Sequence, residues 1–337
     1  LFRGRAVIGY LSRRVFQAGL AMLAAVVLVF VAVRMLPGNP VVARFGERAI
    51  PEQIAREMAR HGWDQPIHRQ LAQFARDIAG RGDLGESFMR PGVSVTQELR
   101  QKVPATLELA LAALLIAIPL GIAAGVAAAV WRGRFPDYLC MTGALLGVSV
   151  PVFFLGICLL TLFTEMPTRS RLPIGYGTWS TSGFVLPETL LRGRFDLFLA
   201  ALRHLCLPAI ALSTIPMAVI ARMTRSSMLE VLSADYVRTA RAKGNSRWRV
   251  VLCHAFPNAA LPVANIAGYQ VAVLLTGAVL TETVFGWPGL GKLLVDAVRD
   301  TDYAVVQGGA LVVAGLFVTT NLALDLFFFW LDPRIRL

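Results

Sequence analysis

Cysteine and histidine are both scarce in this 337-residue chain, with four of each. Cys140, Cys158, Cys206 and Cys253 lie in or beside apolar blocks without paired spacing, which excludes a disulfide or zinc framework. His61, His68, His204 and His254 are scattered, so no metal site is expected from them. No nucleophile–base pair stands out, and no internal repeat or low-complexity stretch interrupts the chain. A complete phosphate loop is also missing. Gly286 to Lys292 fits G-x4-G-K, but Leu293 stands where a Ser or Thr must reach magnesium, and no strand precedes the string. The expectation is a chain that catalyses nothing by itself.

What is abundant is apolar. Hydrophobic residues make up 56% of the chain and the mean hydropathy is +0.61, too apolar for a soluble domain of ordinary composition. They collect into long blocks separated by charged stretches, which is the membrane pattern. The net charge of +12 raises the question of nucleic acid. The arginines, however, flank apolar blocks instead of forming one stripe, and no recognition motif accompanies them. Membrane topology accounts for the charge, and no nucleic-acid partner is expected. The basic, apolar start has the look of a signal peptide, but its apolar block is too long and lacks a small-x-small cleavage site, so it reads as a retained first span.

The blocks predict an all-α membrane protein of about six spans: Val15–Met35, Ala105–Val130, Leu139–Phe163, Leu205–Ala221, Leu261–Leu280 and Ala304–Leu331. Arg3, Arg5, Arg13 and Arg14 precede the first span and place the N-terminus in the cytoplasm. The expected division is 1–36 for the N-terminal segment and first span, and 37–104 for an extracytoplasmic insertion. Residues 105–331 form a core of five spans that includes a cytoplasmic loop at 222–258, and 332–337 is a cytoplasmic tail. The insertion is too charged to cross a bilayer. It carries two amphipathic helices, Pro51 to His61 and Ile67 to Ile78, and a turn-rich loop from Gly80 to Ser87. Thr164 to His204 reads as a second outside loop without strong periodicity, and Glu282 to Tyr303 as a third, more acidic than basic. Gly121-x3-Gly125 and Gly143-x3-Gly147 space small residues for close helix approach.

Several span residues are candidates for a translocation pathway. Ser149-Val150-Pro151 breaks the third span, freeing a carbonyl that packing or a cavity must satisfy, so it serves either as plain packing or as a hinge or pathway element. Asn265, Tyr269 and Gln270 in the fifth span and Asn321 in the sixth join it; the amides line a pathway or hydrogen-bond between helices. Asp325 is the clear acid deep in a span.

Between the fourth and fifth spans runs S-A-D-Y-V-R-T-A-R-A-K-G-N-S-R-W-R-V-V-L-C-H-A-F-P, Ser233 to Pro257. Ser233 is expected to cap a short helix with Asp235 in its first turn. Leu229, Leu232, Tyr236 and Ala240 recur at helical spacing, giving one apolar and one basic side. Gly244 ends that helix, Asn245-Ser246 start a second over Arg247 to Phe256, and Pro257 stops it. Such an elbow is a poor lipid anchor and a good knob for a socket in another protein.

The stretch resembles the cytoplasmic loop of ATP-binding-cassette importer permeases, whose pattern is E-A-A-x3-G-x9-I-x-L-P. Anchored on Gly244, this chain reads Arg238-Thr239-Ala240, Gly244 and His254-Ala255-Phe256-Pro257. The second Ala, the Gly and the Pro match, whereas the Glu and first Ala do not. R-T-A-R-A-K-G is the form of the dipeptide, oligopeptide and nickel branch. P-G-N-P after the first span, G-D-L-G-E-S in the insertion and F-G-W-P-G-L-G before the last span resemble further strings of that branch. A-R-M-T-R-S-S-M-L-E-V-L, ahead of the elbow, is similar to its dipeptide permeases. The resemblance covers nearly the whole chain.

It implies a type I importer permease fold with both termini cytoplasmic, in the bacterial inner membrane. It implies a homologous second permease, two ATPase subunits, a periplasmic dipeptide-binding protein and surrounding lipid as partners. ATP and magnesium would sit on the ATPases, with no cofactor on this chain. Coupling would fall to Asp235, Tyr236, Arg238, Thr239, Ala240, Arg241, Lys243, Gly244, Arg247 and Pro257. Longer peptides, haem, nickel and glutathione stay open as cargo. Two other classes also stay open: a self-sufficient secondary transporter, which needs paired intramembrane charges or inverted repeats, and a membrane-anchored assembly factor without transport.

Overall fold

The computed structural model describes residues 2–35, 40–46, 50–173, 175–176 and 180–331. Most of the L-P-G-N-P stop and the whole D-P-R-I-R tail lie outside the described residues. In chain order the helices are α1 Phe2–Arg34, α2 Pro40–Phe45, α3 Pro51–Arg60, α4 Ile67–Arg81, α5 Val95–Val130, α6 Phe135–Ser149 and α7 Val152–Leu162. There follow α8 Val185–Leu191, α9 Phe195–Leu232, α10 Asp235–Ala242 and α11 Arg247–Arg249. A π-helical stretch, Val250–Ala255, leads into α12 Phe256–Gly277, then α13 Val279–Phe285, α14 Leu290–Arg299 and α15 Tyr303–Leu331. Among the described residues the sole β feature is an isolated bridge between Glu86 and Ser94. Among the described residues five helical stretches are long and apolar enough to cross a membrane, and α6 with α7 makes a sixth if that bent pair is one span. The expected all-α architecture of about six spans is therefore what the chain adopts.

The spans run longer than their apolar blocks. At 1.5 Å per residue α5 reaches about 54 Å and exceeds the roughly 30 Å hydrocarbon core, because it begins at Val95, ahead of the apolar block, and continues through Pro104. The third span is not one kinked helix: α6 and α7 meet at 102°. Pro151 pushes Val150 out of the helical region to φ −80°, ψ 121°, and the ring supplies no N–H. The supposed outside loops are also more ordered than their sequences suggest. Thr164 to His204 contains α8 and the first turns of α9, and Glu282 to Tyr303 contains the end of α13 and all of α14.

Two compact bodies emerge, residues 1–106 with 288–337, and residues 107–287. In the first, α1 packs along α15, and Arg14 forms a 2.9 Å ion pair with Asp325. The acid deep in the last span is thus neutralised by one of the arginines that flank the first, a clamp near the helix ends. A core of Val33, Val95, Leu99, Leu290, Leu293, Val305 and Val306 joins α1, α5, α14 and α15. The G-D-L-G-E-S string anchors the insertion to the start of α15. Asp83 Oδ1 accepts the Gly85 N–H at 3.0 Å, the Ser87 hydroxyl donates to Asp302 in a short bond, and the Phe88 N–H reaches the same carboxylate at 3.3 Å. The phosphate-loop look-alike proves structural too. The Leu290 N–H that opens α14 donates to Thr106 Oγ1 at 2.8 Å, and Leu293 is buried in the core.

In the second body α9 is the central element, packing against α12, α6, α7 and α8. Gly121 and Gly125 let α5 approach it closely. A Cβ on Gly125 would stand 2.5 Å from the Ala221 carbonyl oxygen, and one on Gly121 would stand 2.8 Å from that of Met217. In the second small-residue pair only Gly147 faces α9, where a Cβ would stand 3.5 Å from the Thr214 carbonyl oxygen, whereas Gly143 has nothing within 4 Å of such a Cβ.

Candidate functional site

The elbow departs from expectation at both ends. Ser233 caps nothing ahead of it: it is the C-cap residue of α9, and its hydroxyl donates back to the Glu230 carbonyl at 2.7 Å. Ala234 takes the N-cap place of α10, with no side-chain hydrogen bond. Pro257 does not stop the second helix either. The π-helical stretch ahead of it lengthens the hydrogen-bonding register and absorbs the missing N–H, so α11 continues through Pro257 into α12. Gly244 behaves as the spacing predicts, at φ +78° just after α10, and Asn245 Nδ2 closes the turn on the Ala240 carbonyl at 2.9 Å.

The apolar side of the elbow is Val237, Ala240 and Val250, packed with Val231 and Leu232 of α9. Tyr236, placed on that side by its spacing, instead faces out with 47% exposure. A helix of eight residues has too few turns for spacing alone to set its phase, and packing against α9 sets it instead. Ala240, at 7% exposure, holds the elbow to its own chain. Asp235, Arg238, Thr239, Arg241, Lys243, Gly244 and Arg247 are all exposed and make the outer, basic face. Arg238 leans to Asp235 at 3.4 Å, an exposed i,i+3 pair. Exposed charge around an exposed tyrosine is a surface suited to an acidic or polar socket.

Among the pathway candidates, Ser149 and Pro151 sit exposed at the 102° break, where the Ser149 hydroxyl donates to the Leu145 carbonyl at 2.8 Å. Asn265 and Tyr269, four residues apart on α12, share an uncovered stripe, with Tyr269 57% exposed. Gln270 points the other way and is 6% exposed, so the structure separates it from the other two. Asn321 is half-buried on α15, in the other body.

Residues 103–337 match the family described as the binding-protein-dependent transport system inner membrane component. The chain belongs to that family. It is 46% identical over 336 residues to the di/tripeptide transport system permease protein DppB of Pseudomonas aeruginosa (strain UCBPP-PA14), spanning 98% of this chain and 99% of that protein. Over 317 residues it is 45% identical to the dipeptide transport system permease protein DppB of Escherichia coli (strain K12), spanning 92% and 93% of the two. Its fold matches a chain of the inward-facing MetNI methionine ABC transporter with a TM-score of 0.51 at 16% identity, covering 70% of this chain and 97% of that one. The helices described above are thus an ABC-importer permease fold in a multi-pass inner-membrane component.

Spacing within the sequence did not reveal three charged clusters of this permease. Asp137, 5% exposed at the start of α6, accepts a bidentate pair from Arg225 at 2.7 and 2.9 Å and a third bond from the Gly133 N–H at 2.9 Å. Arg171 in the 164–184 loop pairs with buried Glu108 of α5, donates to the Gly183 carbonyl at 2.7 Å and lies 6.0 Å over the Trp287 ring. Glu188 on α8 is wrapped by the S-T-S turn, accepting from Ser180, Thr181 and Ser182 side chains and from the Thr181 and Ser182 N–H groups. The Ser180 hydrogen bond leads the effects that hold its carboxyl well below the usual carboxylate range. Its contribution to stability is therefore present above the ordinary glutamate pKa and lost only as pH falls through the depressed one. The 164–194 segment stays capped at neutral pH.

Proposed function

We propose that this chain is one of two homologous transmembrane subunits of an ATP-driven importer of dipeptides and other short peptides. The exposed basic elbow carries the reading: a knob braced by its own chain on one side and bare on the other requires a partner. Two ATPase subunits, which bind ATP and magnesium, would receive the elbow of this chain and that of its sister permease. Residues 37–104, extracytoplasmic on this reading, would meet a periplasmic peptide-binding protein. The family match begins at 103, whereas the peptide-permease relatives align through the insertion as well, which supports a branch-specific role for it. Residues 105–331 would form the core, and Ser149, Pro151, Asn265 and Tyr269, bare in the single chain, would line the pathway or the contact with the sister subunit. Gln270 and Asn321 would tune it from within.

Orientation is tested by single cysteines at Ser246 and Asp300 in a cysteine-free background. An impermeant thiol reagent is expected to label Asp300→Cys in intact cells and Ser246→Cys only after permeabilisation; labelling of Ser246→Cys in intact cells would reverse the topology. Function is tested in vesicles holding both permeases, the ATPases and the binding protein. Dipeptide uptake is expected to require ATP and binding protein, and to be suppressed by excess unlabelled dipeptide but not by nickel, glutathione or haem. ATP-independent uptake would point to a secondary transporter, and suppression by nickel alone would move the cargo to the metal.

A further inference from the structure

The elbow is joined by its backbone to α9 and α12, yet its side chains also grip a third helix, α5, more than a hundred residues away in sequence. Arg247 Nη2 donates to the carbonyl of Val130, the last residue of α5, at 2.8 Å. The same guanidinium lies 5.8 Å over the ring of Trp131, within cation–π range. Trp131 and Trp248 meet edge to face with centroids 6.0 Å apart. Beneath them Val126 and Ala129 of α5 pack with Val251 and Ala255 of the π-helical stretch.

The loop that bears Trp131 is itself rigid. Gly133 turns it at φ +71°, and the Gly133 N–H and Arg225 of α9 both hold Asp137. An aromatic clip at one end of a stiff four-residue loop, with an ion-paired anchor at the other, transmits displacement instead of absorbing it. α5 in turn lies against α9 through Gly121 and Gly125, which bring its backbone directly onto the Ile220 and Thr224 side chains and the Met217 and Ala221 carbonyls.

We propose that Trp131 is a positioning residue for transport: with Trp248 and Arg247 it forms a strut that carries elbow movement directly to α5 and α6, whose backbones otherwise reach the elbow only through the long stretch of chain from α7 to α9. This rests on the reading of the elbow as the ATPase-docking element. Trp131 lies at the end of α5, outside the exposed basic face of α10, so its removal leaves the α10 residues in place and takes from Arg247 only its aromatic seat, not its bond to the Val130 carbonyl. The effect falls on coupling and not on docking.

The test uses the complete importer in vesicles, with Trp131→Ala and Trp131→Phe beside the unaltered complex. Trp131→Ala is expected to keep full ATPase content and basal ATP turnover, while binding-protein-stimulated turnover and dipeptide uptake fall about tenfold. Trp131→Phe retains an edge for Trp248 and a face for Arg247 and should recover most of both. Unchanged uptake in Trp131→Ala would overturn the strut, as would loss of the ATPases from that complex, which would make Trp131 a docking residue. A failure of the unaltered complex to transport peptide sinks the functional reading instead, so the two failures are distinguishable.

Discussion

Gly244→Val should abolish coupled transport, whereas Gly244→Asn should retain most of it. Gly244 stands at φ +78°, and a Cβ built there meets nothing within 4 Å. The obstacle to a side chain is therefore conformational and not steric. An L-residue in the left-handed region costs about 1–2 kcal/mol, more when β-branched, while Asn visits that region readily. Two bonds depend on the turn, Gly244 N–H to the Arg241 carbonyl at 2.9 Å and Asn245 Nδ2 to the Ala240 carbonyl at 2.9 Å. Valine relieves its strain by leaving φ > 0, which swings Arg247 and Trp248 off their seats on α5 while the apolar spans stay as they are. Gly244→Ala should fall between the two. Subunit content, ATP turnover and dipeptide uptake of purified complexes in vesicles provide the measure. Full coupled turnover in Gly244→Val would remove the elbow from the coupling route. Equal failure of Asn and Val would show that a partner needs the empty space above Gly244, and that φ is not the determinant. Ala240→Asp would put a charge among Val237, Val250, Val231 and Leu232, and so tests the elbow's fold and not its outer face.

The spans were legible because a continuous apolar run of this length can satisfy its own backbone in lipid only as a helix, a barrel strand being about half as long. The elbow's glycine was legible for a similar reason, since Gly244 is the residue there best suited to φ > 0. What escaped depends on tertiary phase or on distance along the chain. Tyr236 and Val237 are neighbours in an eight-residue helix, and only packing on α9 decides which turns inward. Asn265 and Gln270 are both polar residues of one span, yet α12 exposes the first and buries the second. Pro257 misled because a π-helical stretch, which has no composition of its own, lets a helix run through it. Asp137 with Arg225, Glu108 with Arg171 and Ser87 with Asp302 are separated by 88, 63 and 215 positions, beyond any local spacing rule. Each replaces a turn or loop assumed to be loose with a fixed joint. The elbow of the sequence and the elbow of the structure thus share a glycine and a basic face but differ in which residues brace them.

Removing Arg171 is the second large effect expected. Its side chain is 11% exposed and that of Glu108 is 5% exposed, so the pair is shielded from water. Glu108 has one further donor, the Leu186 N–H at 2.9 Å. Arg171→Met leaves that carboxylate buried with this single bond and releases the Gly183 carbonyl. Breaking one side of a buried pair costs about 3–5 kcal/mol, whereas replacing both sides with apolar residues is often neutral or better. The double variant Arg171→Met/Glu108→Leu should therefore melt well above Arg171→Met alone, though Leu186 N–H and Gly183 C=O stay unpaired and hold it below the unaltered chain. Arg171→Lys is no substitute, since one ammonium does not reproduce the fork that reaches Glu108 and Gly183 together and lies over Trp287. Thermal unfolding of the chain in detergent, run as a double-mutant cycle, gives the coupling between the two residues. A cost below about 0.5 kcal/mol for Arg171→Met, the size of an ordinary surface change, would mean that the pair is hydrated and does not lock the 164–194 segment. If the lock is real, Arg171→Met should keep its ATPases, because the elbow is untouched, and lose uptake through the loosened 164–194 segment.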